Sequence, residues 1–223
     1  MTDAPVIAID GPSGSGKGTI SALLAQRLGW HLLDSGALYR VVACEALARG
    51  VALDDARALA AMARGLVIVF AADGVTVDGR DRSDDIRSES AGEGASRVAA
   101  LQPVRDAILD VQRAQRRPPG LVADGRDMGT VVFPDAGLKV FLDASVQVRA
   151  ERRYRQLLEQ GQQANADDVL ESLRERDHRD RARAVAPLRP ATDARIIDSS
   201  NLGVASVLDR VLEAAAARGL VGV

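Results

Sequence analysis

The sequence predicts an α/β fold: a parallel sheet of about five strands flanked by helices and interrupted by a small antiparallel β insert. Three observations carry this expectation. Short apolar runs near residues 6, 32, 121, 138 and 195 alternate with longer segments of helical periodicity. The first run passes into a glycine-rich loop that opens directly into a helix. Between about residues 65 and 100 the texture changes to short runs of strand-forming residues separated by Asp-Gly turns, the mark of antiparallel pairing.

The first element is Val6-Ile7-Ala8-Ile9-Asp10, an apolar run of the kind that forms a buried strand. Gly11-Pro12-Ser13-Gly14-Ser15-Gly16-Lys17-Gly18-Thr19 follows, and Ile20 to Leu28 carries apolar residues at helical spacing. Strand, glycine loop, helix is the setting of a phosphate-binding loop. Glycines let the backbone bend until its N–H groups converge, the new helix adds its positive dipole end, and Lys17 adds a full charge near the outer phosphates. Position 18 is Gly, so no side chain there can reach a metal, and the hydroxyl arrives one place later at Thr19. Mg²⁺ would then be held by phosphate oxygens, waters and either Thr19 or a carboxylate. A guanine-reading Asn-Lys-x-Asp motif is impossible, because the two lysines, Lys17 and Lys139, do not follow Asn. That excludes a switch GTPase.

Trp30 to Asp34 reads as a strand, and Ala37 to Arg49 as the helix after it. Asp34, Ser35, Tyr39 and Arg40 therefore fall at the carboxyl end of a parallel strand, where such folds bind ligands. Ser35 and Arg40 suit a substrate phosphate; the plain alternatives are a helix cap for Ser35 and a solvated side chain for Arg40. His31 reads as structural. Leu53 to Arg64 is a helix. Leu66 to Phe70, the turn Ala71-Ala72-Asp73-Gly74 and Val75 to Val77 form a hairpin, Asp78-Gly79 a second turn, and Arg82 to Arg87 a third strand. Ser90 to Arg116 is helical with a break near Pro103, and Pro118-Pro119-Gly120 ends it.

Leu121-Val122-Ala123-Asp124-Gly125-Arg126-Asp127 is a buried strand with a charged end. A carboxylate at Asp127 can accept from an exocyclic amino group such as cytosine's and would repel the carbonyl that uracil shows there. The alternative is a simple pair with Arg126. Leu138 to Asp143 is another strand, Val146 to Val185 a polar helical region with a soft break near Gly161, Arg195 to Ser200 the last strand, and Val204 to Arg218 the closing helix. Within the polar region, helical geometry puts Arg176, Asp180 and Arg183 on one face and lets Asp177 pair with Arg181 on the next. One reading is a solvated, ion-paired helix. The other is a mobile arginine lid over a transferring phosphoryl group.

The totals narrow the function further. A chain of 223 residues suits one domain with inserts. A net charge of −2 and 3% aromatics argue against nucleic-acid binding, which needs a basic balance and stacking platforms. The lone Cys44 permits no internal disulfide and suits a reducing cytosol. No run of ~18 uninterrupted apolar residues suggests a membrane span, and no signal peptide precedes the first strand. The expectation is a cytoplasmic monomer, since no apolar seam is evident.

Four stretches together resemble bacterial-type cytidylate kinases: Gly11 to Thr19, Asp34-Ser35-Gly36-Ala37-Leu38-Tyr39-Arg40, Asp124 to Pro134, and Glu175-Arg176-Asp177-His178-Arg179-Asp180-Arg181. The resemblance runs from the first strand to the last helix. It implies a single P-loop kinase domain over 1–223, with a core at 1–64, 101–149 and 186–223, a nucleoside monophosphate-binding insert at 65–100 and a helical lid at 150–185. It implies transfer of the γ-phosphoryl group of ATP to CMP or dCMP with Mg²⁺, UMP being used poorly. By resemblance, ATP phosphates lie on Gly11, Pro12, Ser13, Gly14, Ser15, Gly16, Lys17, Gly18 and Thr19. Ser35, Arg40 and Arg126 hold the CMP phosphate, Ser96, Arg105 and Asp127 read cytosine, and Arg176, Asp180 and Arg183 reach ribose and phosphates. Lys17, Arg126, Arg176 and Arg183 are then the catalytic set. Two other readings of the same chain are a kinase for a different small acceptor and a non-catalytic nucleotide sensor. The arginine-rich face argues against the sensor.

Overall fold

The computed structural model describes residues 4–71 and 74–221. In chain order the elements are β1 (Val6–Asp10), α1 (Lys17–Leu28), β2 (His31–Asp34), α2 (Ser35–Ala48), α3 (Ala56–Gly65), β3 (Ile68–Ala71), β4 (Gly74–Val77), β5 (Arg80–Asp81), α4 (Glu89–Val98) and α5 (Gln102–Arg113). They continue with β6 (Leu121–Gly125), β7 (Leu138–Asp143), α6 (Val146–Glu159), α7 (Ala166–Ala182), β8 (Arg195–Asp198) and α8 (Val204–Ala217). Contacts group these into two compact units, Met1–Asp34 with Ala114–Val223, and Ser35–Arg113. Residues 65–100, expected as an insert, lie within the second.

The first unit is built on a five-stranded sheet in the order β2-β6-β1-β7-β8. All four pairings are parallel, with Asp10 opposite Gly125 and Ile9 opposite both Asp124 and Val140. A central parallel strand is covered on both faces, which is why β1 and β6 need unbroken apolar runs; every residue of both is buried. The edge strands β2 and β8 bury only Leu33 and Ile197. On one face Ile7, Ile9, Val122, Val140 and Leu142 pack against Ile20 and Leu24 of α1 and Val207 and Val211 of α8. Each such side chain, fully buried, contributes ~1.5–3 kcal/mol.

Four of the five parallel strands end in an aspartate at the same edge, Asp10, Asp34, Asp143 and Asp198, and β6 carries Asp124 one residue before its end. α1 starts at this edge from Gly16, whose φ of 90° is one that L side chains rarely adopt. The edge thus brings carboxylates, a helix N-terminus and Lys17 together.

The second unit packs α2 with α4 and α3 with α5, and carries the antiparallel sheet β3-β4-β5. The centre of the expected turn at Ala71 to Gly74, residues 72 and 73, lies outside the described residues. The expected third strand over Arg82 to Arg87 is corrected: β5 is only Arg80–Asp81, and Asp85–Arg87 is a 3₁₀ turn. The cause is local, because the Asp81 carboxylate accepts from the Ser83 N–H (2.9 Å) and hydroxyl (2.6 Å), turning the chain out of the sheet. The expected break near Pro103 is present: α4 ends at Val98 and α5 begins at Gln102, with Pro103 its second residue, where a missing N–H costs nothing. In the first unit α6 and α7 are separate helices, divided near Gly161 (φ 72°), and α7 ends at Ala182 rather than Val185. No helix among the described residues is long and apolar enough to cross a membrane.

Candidate active site

The loop after β1 is shaped by what holds its carbonyls. The Ser13 carbonyl accepts from Arg149 Nη1 at 3.0 Å, and the Ser15 carbonyl from Ser199 Oγ at 3.1 Å and Arg152 Nη1 at 3.5 Å. In a planar trans peptide the next N–H points the opposite way. The amides of Gly14 and Gly16 are therefore turned inward, as an anion cradle requires. Gly14 and Gly16 take φ of 77° and 90°. Gly11 is demanded by space: a Cβ there would stand 2.1 Å from the Leu142 carbonyl oxygen at the end of β7. Lys17, 9% exposed, begins α1 and donates from Nζ to the Pro12 carbonyl at 3.2 Å.

Lys17 shares its field with Asp124, Arg126, Arg176 and Asp34. Burial, and then the Arg126 charge, lower its pKa to about 8, against the pull of Asp124. Burial likewise pushes the Asp124 carboxyl up, with Lys17 opposing. Asp124 Oδ1 is buried with no hydrogen-bond partner among the described residues, and Oδ2 lies 3.3 Å from where a Cβ on Gly18 would be. A side chain at position 18 would crowd this carboxylate, so Gly at that place and Asp124 at the end of β6 belong to one arrangement.

The expected arginine face assembles around Asp180. Arg176 and Asp180 are one turn apart on α7, while Arg183 is the residue that caps the helix, its Nε donating to the Ala186 carbonyl at 2.6 Å. Arg126, from the end of β6, donates Nε to Asp180 Oδ2 at 3.1 Å. Burial alone would raise the Asp180 pKa, yet the charges of Arg126, Arg176 and Arg183 outweigh it and hold the carboxyl below its ordinary range. One guanidinium thus bonds this carboxylate, and two more lie close enough to stabilise its charge. Asp127, beside Arg126, is 2% exposed.

Two parts of this site were not read from the sequence. The first is Asp10, which reads as the end of a strand but accepts from the backbone N–H groups of Met128 and Gly129, both at 2.8 Å. It thereby anchors the turn that carries Arg126 and Asp127. The one signal was a charged residue closing an apolar run. The second is Arg149, whose fork meets Asp177. The expected pairing of Asp177 with Arg181 is corrected: Asp177 faces inward from α7 and is 8% exposed. Helical spacing shows which residues share a face, not which face another helix covers.

The remaining expected residues lie in the second unit. Ser35 is 2% exposed and is the first residue of α2, not a cap before it; its Oγ accepts from Gln112 Nε2 at 2.8 Å. Arg40 donates Nη1 to the Ile86 carbonyl at 2.9 Å, so it is not simply solvated. Ser96 is buried on α4, and Arg105 on α5 donates to the Ala99 carbonyl at 3.3 Å while its guanidinium lies 5.9 Å from the Tyr39 ring centroid. Arg105 and Ser96 are 6% exposed each.

Comparison with known proteins places this geometry in a family. The family model described as cytidylate kinase matches residues 7–217. Proteins named cytidylate kinase from Bordetella bronchiseptica and Stutzerimonas stutzeri are 57% and 55% identical to this chain. The first match covers 94% of both chains and the second 98% of both. Among solved structures, one from Thermus thermophilus, 19% identical, superposes with a TM-score of 0.52 over 99% of this chain and 100% of its own. It shares the fold.

Proposed function

The chain belongs to the cytidylate kinase family, and from that premise we propose how its own residues carry out the reaction. The γ-phosphoryl group of ATP passes to CMP or dCMP, giving ADP and CDP or dCDP. An oxygen of the CMP phosphate attacks the γ-phosphorus in line as the bond to the β–γ bridging oxygen breaks. A phosphate monoester near neutral pH is already a competent nucleophile, so the residues need not supply a strong base. Their work is positioning and charge neutralisation.

In this reading the amides of Gly11 to Thr19 and the Lys17 ammonium hold the ATP phosphates. Ser35, Arg40 and Arg126 hold the CMP phosphate, and Ser96, Arg105 and Asp127 read the cytosine edge. Arg176, Asp180 and Arg183 act on ribose and the transferring group, with residues 150–185 as the lid and 65–100 as the insert. The observation that carries it is the gathering of Arg126, Arg176 and Arg183 around Asp180, with Arg126 bonded to it and Arg126 and Arg176 also in the field of Lys17. Cations at that spacing suit the oxygens of a transferring phosphoryl group.

Mg²⁺ is the expected companion of ATP. Among the described residues no group of three or more His, Cys, Asp or Glu side chains is arranged for a metal. The buried, unpartnered Oδ1 of Asp124 beside Lys17 is instead suited to accept from the waters of an ion carried in on phosphate oxygens. When bound, such an ion neutralises charge on the β- and γ-oxygens. The reading also places the enzyme in the cytoplasm as a monomer, with UMP a poor acceptor and no nucleic-acid or membrane partner.

A coupled ADP-release assay with CMP, dCMP, UMP, AMP and several small acids tests it. CMP and dCMP should be turned over best. A preference for AMP or for a non-nucleotide acid overturns the acceptor assignment, and absence of turnover overturns the catalytic one. Lys17→Ala should lose turnover by roughly 10²–10³-fold with its circular dichroism unchanged.

A further inference from the structure

Arg149, on α6, is the largest side chain that the fold buries almost completely, at 2% exposed. Its Nε donates to the Ala144 carbonyl at 2.9 Å, Nη1 to the Ser13 carbonyl at 3.0 Å and to Asp177 Oδ1 at 3.1 Å, and Nη2 to Asp177 Oδ2 at 2.5 Å. One rigid planar group therefore touches three segments at once: the phosphate loop at Ser13, the end of β7 at Ala144, and α7 at Asp177. Stability alone gives little reason for this, because an apolar pair of similar size serves a core about as well as a buried ion pair.

The contacts fall where small shifts matter. The Ser13 carbonyl sets the direction of the Gly14 amide, one of the inward-turned donors. Asp177 directly follows Arg176 on α7 and precedes Asp180 by one turn. There is no slack on the loop side, since a Cβ on Gly14 would stand 3.1 Å from Arg149 Cβ and 3.2 Å from its carbonyl oxygen.

We infer that Arg149 and Asp177 are positioning residues for phosphoryl transfer, a rigid coupling that sets the distance from the loop amides to Arg176 and Asp180. This rests on the reading above, in which the loop holds ATP and α7 acts on the transferring group. A lysine at 149 keeps the charge but loses the fork, and an asparagine at 177 keeps the shape but turns a donor toward a donor.

The test measures steady-state kinetics of Arg149→Lys, Asp177→Asn and the double variant, at a temperature well below each melting point. Calorimetric titration with ATP runs alongside. Each single variant should lose about 10²-fold in kcat, the scale of a small misplacement, while its affinity for ATP stays within about threefold. The double variant should be no worse than the poorer single one, because both remove one device. Single variants that keep kcat within about threefold, or losses that multiply in the double variant, overturn the coupling. So does a loss that vanishes on cooling the assay, which marks a merely structural role. Arg176→Ala separates the two levels: full turnover there sinks the catalytic reading of α7, whereas lost turnover there with intact single variants sinks the coupling alone. Should neither single variant fold, hydrogen exchange of the wild type decides. ATP alone must slow exchange in α7, and unchanged exchange overturns the inference.

Discussion

Asp10→Asn isolates the energetics of a carboxylate that the fold buries without a cation. Asp10 is 4% exposed, and its two bonds come from backbone N–H groups. Burial is the main cause that raises its pKa from 3.8 to about 7; those two bonds pull it back, and the Asp127 and Asp124 charges add to the rise. The folded carboxyl therefore keeps its proton to higher pH than the unfolded one. The stability this group contributes is complete below about pH 4 and is lost as pH rises through about 7. Between pH 5 and 8 linkage makes that loss about 3 kcal/mol. Asparagine has the same shape and no charge, so it carries none of the loss, but it accepts only one of the two N–H groups well. Leaving the other buried costs ~1–3 kcal/mol at every pH. Urea and thermal melts of both proteins at pH 5, 6, 7 and 8 should therefore show the difference moving in the variant's favour by about 3 kcal/mol as pH rises. In melting temperature that is roughly 6–12 °C. A difference constant to within about 1 kcal/mol across that range refutes the reasoning, because it means the carboxylate is not paying for its burial.

Three further outcomes follow from the same geometry. Gly11→Ala drives a Cβ to within 2.1 Å of the Leu142 carbonyl and should destabilise by at least ~1–3 kcal/mol with loss of ATP binding, whereas Gly203→Ala, in open space, should melt near the wild type; equal melting points contradict this. Asp127→Ala should cut the preference for CMP over UMP by about 1–3 kcal/mol, roughly 5- to 150-fold in relative kcat/KM, and unchanged selectivity removes it from base reading. With Lys17 titrating near 8 in the free enzyme, kcat/KM for ATP should fall as pH rises from 7 to 9, as the ammonium loses its charge; a flat profile tells against its contact with the phosphates.

Much of this was legible in the chain alone, because the signals are local. An apolar run ending in a glycine loop and a helix start is recognisable from Gly11 to Thr19 alone, although the partners that hold the loop's carbonyls are not. The central strands β1 and β6 were placed by continuous apolar patterning, since a strand covered on both faces leaves no room for alternation. Helical spacing found Arg176 and Asp180, because it depends only on the residues of one helix; Arg183 lies one residue past the end of α7. Where a neighbouring segment decided, the reading failed. The strand expected over Arg82 to Arg87 failed for a local reason instead: the side-chain turn at Asp81 and Ser83 ends the sheet first. Sequence order does not say that β6 lies beside β1, so the bonds from Asp10 to Met128 and Gly129 were invisible, as was the choice of Arg149 over Arg181 as partner of Asp177. Conformation along the chain is set by each residue's own torsions and its near neighbours. Which buried charge meets which partner is set by sheet order and helix packing, and those exist only once the chain has folded.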